Sequence, residues 1–302
     1  MKIFLSLLSL SALLSWTAPA LSAVNIFACE PEWGALAKEI GGDRVNVYTA
    51  TTALQDPHKI QARPSLIAQA RLADLLVCSG AELEVGWMPV VIGQSGNNKI
   101  GVGKPGNLEA ANYVPLKEVP TLLDRSLGDV HPRGNPHIQW DPQNVQLVAN
   151  ELARRLAYLD PSSKAYYESR LAAFTQRWGQ ATKRWEQEAA PLKGVAVIEH
   201  HKELTYLFDW LGMPVVGALE PKPGVEPSSS HLSELVEQQK TNPARLIVIT
   251  TQKNPEAAEW LSGQIKIKEI ALPATVGGTP GAKDLFSMYD DAITRLLAAG
   301  KS

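Results

Sequence analysis

The stretch Ser163–Ala190, SKAYYESRLAAFTQRWGQATKRWEQEAA, is the most periodic part of the sequence. Its apolar side chains recur at alternating spacings of four and three, which places them on one face of a helix. They are Tyr167, Leu171, Phe174, Trp178, Ala181 and Trp185. A helix of this length is well above the average of about 11–12 residues. Because the segment lies mid-chain, we predict a rigid connecting helix over residues 161–190.

The two parts of the chain that flank this helix show the same alternation of strand and helix patterns. Six short apolar runs have the composition of strands: Val24–Ala28, Val45–Thr51, Leu75–Val77, Val195–Glu199, Val215–Ala218 and Leu246–Thr250. Strands that alternate with helical segments favour βαβ units and a parallel sheet. We therefore predict an α/β protein with two lobes, residues 24–160 and 191–302. Each lobe has a central, mostly parallel sheet flanked by helices.

The overall composition excludes some classes of function. The chain has 302 residues, enough for two domains, with 45% hydrophobic and 20% charged residues, as in a globular protein. Its formal net charge of −2 provides no electrostatic attraction to a polyanion. We therefore expect no nucleic-acid partner.

The N-terminal residues have the pattern of a secretory signal peptide. Lys2 supplies the positive charge, Ile3–Trp16 is apolar, and Ala18–Ala23 offers small residues for cleavage. The apolar run is too short to cross a bilayer comfortably. Cys29 follows Ile26-Phe27-Ala28, which is a poor lipid-attachment site. We predict a signal peptide at residues 1–23 and a soluble protein exported to the periplasm.

Two cysteines, Cys29 and Cys78, each lie at the end of a predicted strand. In an oxidising compartment such a pair favours one disulfide bond. Two buried free thiols remain the alternative, because the sequence does not give the geometry that decides between them.

The histidines are candidates for metal ligands. His58 follows a predicted strand, His137 precedes a predicted helix, and the pair His200-His201 follows the strand Val195–Glu199. Ligands bind at the carboxyl ends of parallel strands, and neutral imidazoles suit Zn²⁺. A single histidine on a loop is more often a surface residue than a ligand, and the sequence has no HxxxH or CxxC motif. The residues alone therefore leave both interpretations open.

The sequence resembles the zinc- and manganese-binding solute-binding proteins of ABC importers, whose two lobes are joined by one long helix. The resemblance covers essentially the whole mature chain. The matching stretches are Gly41–Val45, Asp56-Pro57-His58, Ala73–Val77, Gly134-Asn135-Pro136-His137 with Asp141-Pro142, His201 with Tyr206, and Asp284 before Met288.

This resemblance implies a metal site between the lobes. It assigns His58 and His137 as ligands from the first lobe, and His201 and Asp284 from the second. Adjacent residues on an extended chain point to opposite sides, so we expect His201 rather than His200 to face the cleft. His131 is not a ligand position of this family. It is either a surface loop residue, or a residue that binds the metal transiently or hydrogen-bonds a ligand.

The implied function is transport. Three imidazoles and one carboxylate favour Zn²⁺, whereas Mn²⁺ prefers more oxygen ligands. The resemblance implies a non-enzymatic protein that captures Zn²⁺ and delivers it to an ABC importer permease in the inner membrane. A manganese-binding homologue is the alternative. A secreted zinc hydrolase is disfavoured, because four protein ligands leave no open position for water. We expect a monomer, and the sequence leaves open a periplasmic metallochaperone as a further partner.

Overall fold

The computed structural model describes residues 23–121, 128 and 130–300. The predicted signal peptide lies outside this part of the chain, except for residue 23. Among the described residues, no helix combines the length and apolar character that crossing a membrane requires.

The described residues form two parallel sheets of four strands each, with the same topology. The strands are β1 Val24–Ala28, β2 Val45–Thr49, β3 Leu75–Cys78, β4 Asn107–Glu109, β5 Val197–Glu199, β6 Val215–Ala218, β7 Leu246–Thr250 and β8 Lys268–Leu272. The strand order is β2-β1-β3-β4 in the first sheet and β6-β5-β7-β8 in the second. Every pairing is parallel. The predicted two-lobed α/β fold is confirmed.

Helices cover both faces of each sheet, so the central strands are buried. The helices are α1 Pro31–Gly41, α2 Pro64–Leu72, α3 Met88–Ser95, α4 Pro142–Leu159, α5 Lys164–Glu188, α6 Thr205–Leu211, α7 Ser229–Gln238, α8 Glu256–Ile265 and α9 Leu285–Gly300. All residues of β3 and β7 are buried. A parallel strand that is covered on both faces needs such a continuous apolar run rather than an alternating one.

The long helix α5 packs against both lobes through its aromatic stripe. Tyr167, Phe174, Trp178 and Trp185 are buried along this face, and Leu171 is half-buried. The Trp178 indole donates to the Pro142 carbonyl at the start of α4, with a nitrogen–oxygen distance of 2.9 Å. On the other side, the Trp185 ring stacks on Tyr289 of α9, with centroids 4.7 Å apart.

The sequence patterns do not predict three short elements of the fold. The strand β4 has three residues, Asn107-Leu108-Glu109, of which two are polar. The strand lies within residues 96–136, where Gly, Asn and Pro recur and apolar periodicity is weak, so the sequence there resembles a long loop. Helix α3 and the edge strand β8 also lack a clear prediction. Both sheets consequently have one more strand than the sequence pattern indicates.

A disulfide bond joins Cys29 and Cys78 at the carboxyl ends of the neighbouring strands β1 and β3. Both cysteines are buried. The alternative of two free thiols is thereby excluded. The bond links residues 49 positions apart in the sequence, close to the loop that begins after β3.

We predict that removing this bond lowers the free energy of unfolding by about 2–4 kcal/mol, because the unfolded chain loses a cross-link that limits its conformations. The double variant Cys29→Ala/Cys78→Ala should show this loss in urea denaturation monitored by circular dichroism. Dithiothreitol should destabilise the wild-type protein and leave the double variant unchanged. Equal stability of oxidised and reduced wild-type protein would contradict the prediction.

Candidate metal centre

The first-lobe histidine His58 lies in a short 3₁₀ turn, Pro57–Lys59, in the loop after β2. Asp56 precedes this turn, and its carboxylate Oδ1 accepts from the His58 backbone nitrogen at 3.0 Å. The same oxygen lies 2.8 Å from Nδ1 of the His58 ring. An ionised carboxylate can only accept, so Nδ1 carries the proton and Nε2 presents its lone pair to the cleft.

His201 has the matching arrangement in the second lobe. It lies in the loop after β5, and its Nδ1 is 2.7 Å from Oε2 of Glu220. Glu220 also accepts from the Gly224 backbone nitrogen at 2.8 Å, which fixes the carboxylate. Carboxylates that hold the outer nitrogen of a histidine are common behind metal ligands, because they fix the tautomer and the ring orientation.

His137 lies between the lobes, in the first-lobe loop before α4. Its backbone nitrogen donates to Asn135 Oδ1 at 2.9 Å. Asn135 is in turn held by the second lobe, because Tyr206 donates its hydroxyl to the Asn135 carbonyl at 2.8 Å. The Nε2 atom of His137 is buried without a hydrogen-bond partner among the described residues. Leaving such an atom unpaired costs about 1–3 kcal/mol, which a bound cation would remove.

These three side chains converge on one point of the interlobe cleft. The ligand atoms of His58, His137 and His201 all lie within 4.8 Å of one another. Their ring centroids are 5.4, 5.6 and 5.4 Å apart, so the rings form a nearly equilateral triangle. Donor atoms in a tetrahedral zinc site are about 3.3 Å apart, given bonds of about 2.0–2.1 Å. Small side-chain shifts are enough to reach that spacing.

Asp284 does not join the histidines. It is exposed, and its Oδ1 accepts from the Ser287 backbone nitrogen at 2.8 Å and lies 2.8 Å from the Ser287 hydroxyl oxygen. This is the arrangement of a residue that caps the N-terminus of a helix, here α9. Asp284 also lies outside the set of residues that line the cleft cavity. The Asp-before-helix pattern that suggested a ligand is thus accounted for by capping.

His200 is not part of the group of three converging histidines. Its Nε2 lies 3.9 Å from Glu220 Oε1. The expectation that only one of the two adjacent histidines faces the cleft agrees with this geometry.

A half-buried lysine that the sequence does not single out lies behind the histidines. Lys253 Nζ is 3.7 Å from Asp56 Oδ2 and 3.6 Å from Glu220 Oε1. It therefore lies between the carboxylates that orient His58 and His201. Burial disfavours its charge, but Glu203, Asp56 and Glu220 outweigh that effect and raise the pKa of Lys253. No local motif marks this role, because the three residues meet only in the folded protein.

The sequence matches the profile of the family described as "ZnuA: Zinc-uptake complex component A periplasmic" over residues 26–299. The chain belongs to the ZnuA family. The resemblance to zinc- and manganese-binding solute-binding proteins is thereby confirmed, and this family consists of transport components rather than enzymes.

Two similar proteins differ in the metal that their names give. The "Manganese ABC transporter substrate-binding lipoprotein scaA" of Streptococcus gordonii is 27% identical over 174 residues, which are 58% of this chain and 54% of that protein. The "Zinc-binding lipoprotein AdcA" of Streptococcus pneumoniae is 24% identical over 245 residues, 78% of this chain and 46% of that protein. The chain thus spans about half the length of these two relatives.

Among solved structures, one described as "Crystal structure of ZnuA" superposes with a TM-score of 0.73. It shares 23% sequence identity, and the match covers 91% of this chain and 99% of that chain. This likeness shows that the two chains share a fold.

We predict that His131 and His137 stay neutral in the metal-free protein well below pH 6.5. Burial, reinforced by neighbouring histidine charges, lowers the pKa of His131 to about 4 and that of His137 well below its usual value. An NMR pH titration of the ring protons, assigned with His131→Ala and His137→Ala, measures both. A midpoint near 6.5 for His131 would contradict the prediction.

These histidines influence stability in a known direction. Between pH 6.5 and 4 the unfolded chain binds protons at both rings while the folded chain does not, so their contribution to stability decreases as the pH falls. Burial raises the pKa of Glu32 and Glu84 to about 7, so these carboxyls act in the opposite direction over an overlapping range. An NMR titration that follows each residue separates the histidine contribution from the glutamate contribution. The pH dependence of the free energy of unfolding reports only their sum.

Proposed function

We propose that this protein captures Zn²⁺ in the cleft between its lobes and delivers it to the permease of an ABC importer. The observation that supports this best is the convergence of His58, His137 and His201 from both lobes, with the buried Nε2 of His137 unpaired. Because the ligands come from both lobes, binding and release of the ion are coupled to the lobe arrangement that a permease would contact.

Zinc is the cargo that the donor set favours. All three converging ligands are imidazole nitrogens, which suit borderline ions such as Zn²⁺, whereas Mn²⁺ prefers oxygen ligands and a higher coordination number. Asp284, the one oxygen ligand implied by the family resemblance, is held at the start of α9. Manganese transport, as named for some relatives, is the alternative that a competition experiment distinguishes.

We propose the periplasm as its location. The family description is periplasmic, and the N-terminal residues have a signal-peptide pattern. The relatives named as lipoproteins raise the alternative of a lipid anchor. Cys29 does not suit that role, since its sulfur is bonded to Cys78 and the residue is buried at the end of β1. We further propose a monomer that contacts the permease directly, with or without a metallochaperone.

The ligand set predicts how single variants behave in a zinc competition titration. The wild-type protein should bind one Zn²⁺, more tightly than Mn²⁺. His58→Ala, His137→Ala and His201→Ala should each weaken zinc binding by more than about 100-fold. Removing a residue that only orients a ligand costs about 10–100-fold in metal affinity, and removing the ligand itself should cost more.

The variant Asp284→Ser separates the two candidate ligand sets. Serine keeps the helix cap, so the fold of α9 is preserved, but it removes the carboxylate. We expect unchanged zinc affinity. If Asp284→Ser lost as much zinc affinity as His137→Ala, Asp284 would be a metal ligand. Tighter binding of Mn²⁺ than of Zn²⁺ by the wild-type protein would contradict the zinc assignment.

The role of the Glu220 carboxylate in orienting the His201 ring can be tested with a further variant. Glu220→Gln should weaken zinc binding by about 10–100-fold, because a neutral amide holds the His201 ring less firmly and makes its nitrogen less basic. Glu226 is an exposed residue of the loop 219–227, which follows β6 and also contains Glu220, so Glu226→Gln is the matched control and should bind like the wild type. Equal affinities for the two variants would contradict the role of Glu220.

A further inference from the structure

A fourth histidine, His131, lies next to His58 and lines a cavity together with His137 and His201, although its ring nitrogens lie outside the group that falls within 4.8 Å. Its Nε2 is 3.2 Å from Nε2 of His58, and the two ring centroids are 5.3 Å apart. Two nitrogens bound to one tetrahedral zinc ion are about 3.3 Å apart. The His58–His131 pair therefore already has the spacing of two ligands on one ion.

The hydrogen bonds on the outer sides of these rings turn the two lone pairs toward each other. Asp56 accepts from Nδ1 of His58, so the lone pair of that ring is on Nε2. The backbone carbonyl of Ala81 lies on the other side of the His131 ring and favours a proton on the nitrogen that faces it. Since Nε2 of His131 faces His58, Nδ1 is the nitrogen left to face this carbonyl. Two nitrogen lone pairs at 3.2 Å repel each other, and a cation between them converts that repulsion into attraction.

The carbonyl that holds His131 belongs to a specialised turn. Gly80, Ala81 and Glu82 have φ angles of +76°, +49° and +69°, a left-handed conformation that is unusual for the two non-glycine residues. The Glu84 carboxylate holds this turn by accepting from the Ser79 backbone nitrogen at 2.8 Å. Backbone strain of this kind persists where surrounding contacts enforce it, and it concentrates at functional sites.

We propose that His131 is the fourth metal ligand, so that four imidazole nitrogens close the zinc site. This inference rests on the proposed function, because it presupposes that His58, His137 and His201 bind the ion. It makes His131 a specificity-determining residue: four nitrogens satisfy Zn²⁺ in a tetrahedron and offer no oxygen to Mn²⁺. The first lobe then contributes three ligands and the second lobe one.

The test compares His131→Ala and His131→Gln with the wild type, using Zn²⁺ competition titrations and the visible absorption of bound Co²⁺. Both variants should bind one ion about 100-fold more weakly. The intense Co²⁺ bands of a four-coordinate site should become weaker, and the preference for Zn²⁺ over Mn²⁺ should fall. His231→Ala is the matched control, since His231 lies on α7 and its ring is bonded to the Ala218 carbonyl.

A second measurement needs no destabilising change. In ¹⁵N-histidine-labelled wild-type protein, Zn²⁺ should move the Nε2 resonance of His131 to the position of a metal-bound nitrogen, together with those of His58, His137 and His201. The His131 resonance is assigned by its absence from the His131→Gln spectrum.

The outcomes separate this inference from the function on which it rests. If His137→Ala binds zinc like the wild type, the proposed function fails. If His137→Ala loses zinc while the His131 variants keep the wild-type affinity and Co²⁺ spectrum, only the role of His131 is overturned. Weaker binding with an unshifted His131 resonance would also overturn it, because His131 would then act only on the structure of the site.

Discussion

The contact between the aromatic stripe of α5 and the two lobes is the constraint on which the rest of the structure depends. Trp178 and Trp185 are buried between α4 of the first lobe and α9 of the second. Tyr289 of α9 completes the link, because its hydroxyl donates to the Gln139 carbonyl at 2.7 Å, two residues after His137. Large aromatic rings combine a big buried area with specific geometry, so the lobes have little freedom to separate widely.

A fixed lobe separation explains how histidines from distant parts of the chain come within binding distance of one ion. The carboxylates behind them then determine which nitrogen faces inward. Burial opposes ionisation of Glu220, yet its bond to His201 and the charge of Lys253 outweigh burial and hold the pKa of Glu220 below its usual value. Lys253 of the second lobe also approaches Asp56 of the first, so the supporting groups form one charged network across the cleft.

The sequence predicts those features that depend on local periodicity. The period of α5 and the apolar runs of β1 and β7 are direct consequences of which residues must be buried, and the structure confirms them. The strand β4 is too short and too polar to produce a pattern. Its place in the sheet comes from pairing with β3, which is a tertiary contact.

The histidines of the site were identifiable from their positions at strand and loop ends, but their partners were not. Glu220 lies 19 residues beyond His201, and the His58–His131 contact spans 73 residues, so neither produces a local motif. Asp284 illustrates a different ambiguity. A carboxylate at the start of a helix satisfies backbone N–H groups, and that local role produces the same sequence pattern as a ligand would.

The most direct test of the central claim is a crystal structure of the zinc-loaded protein, with the ion located by anomalous scattering at the zinc absorption edge. We expect one ion between the lobes, about 2.0–2.1 Å from Nε2 of His58, His137 and His201. An ion that lies elsewhere, or that is bound by only one of the two lobes, would contradict it.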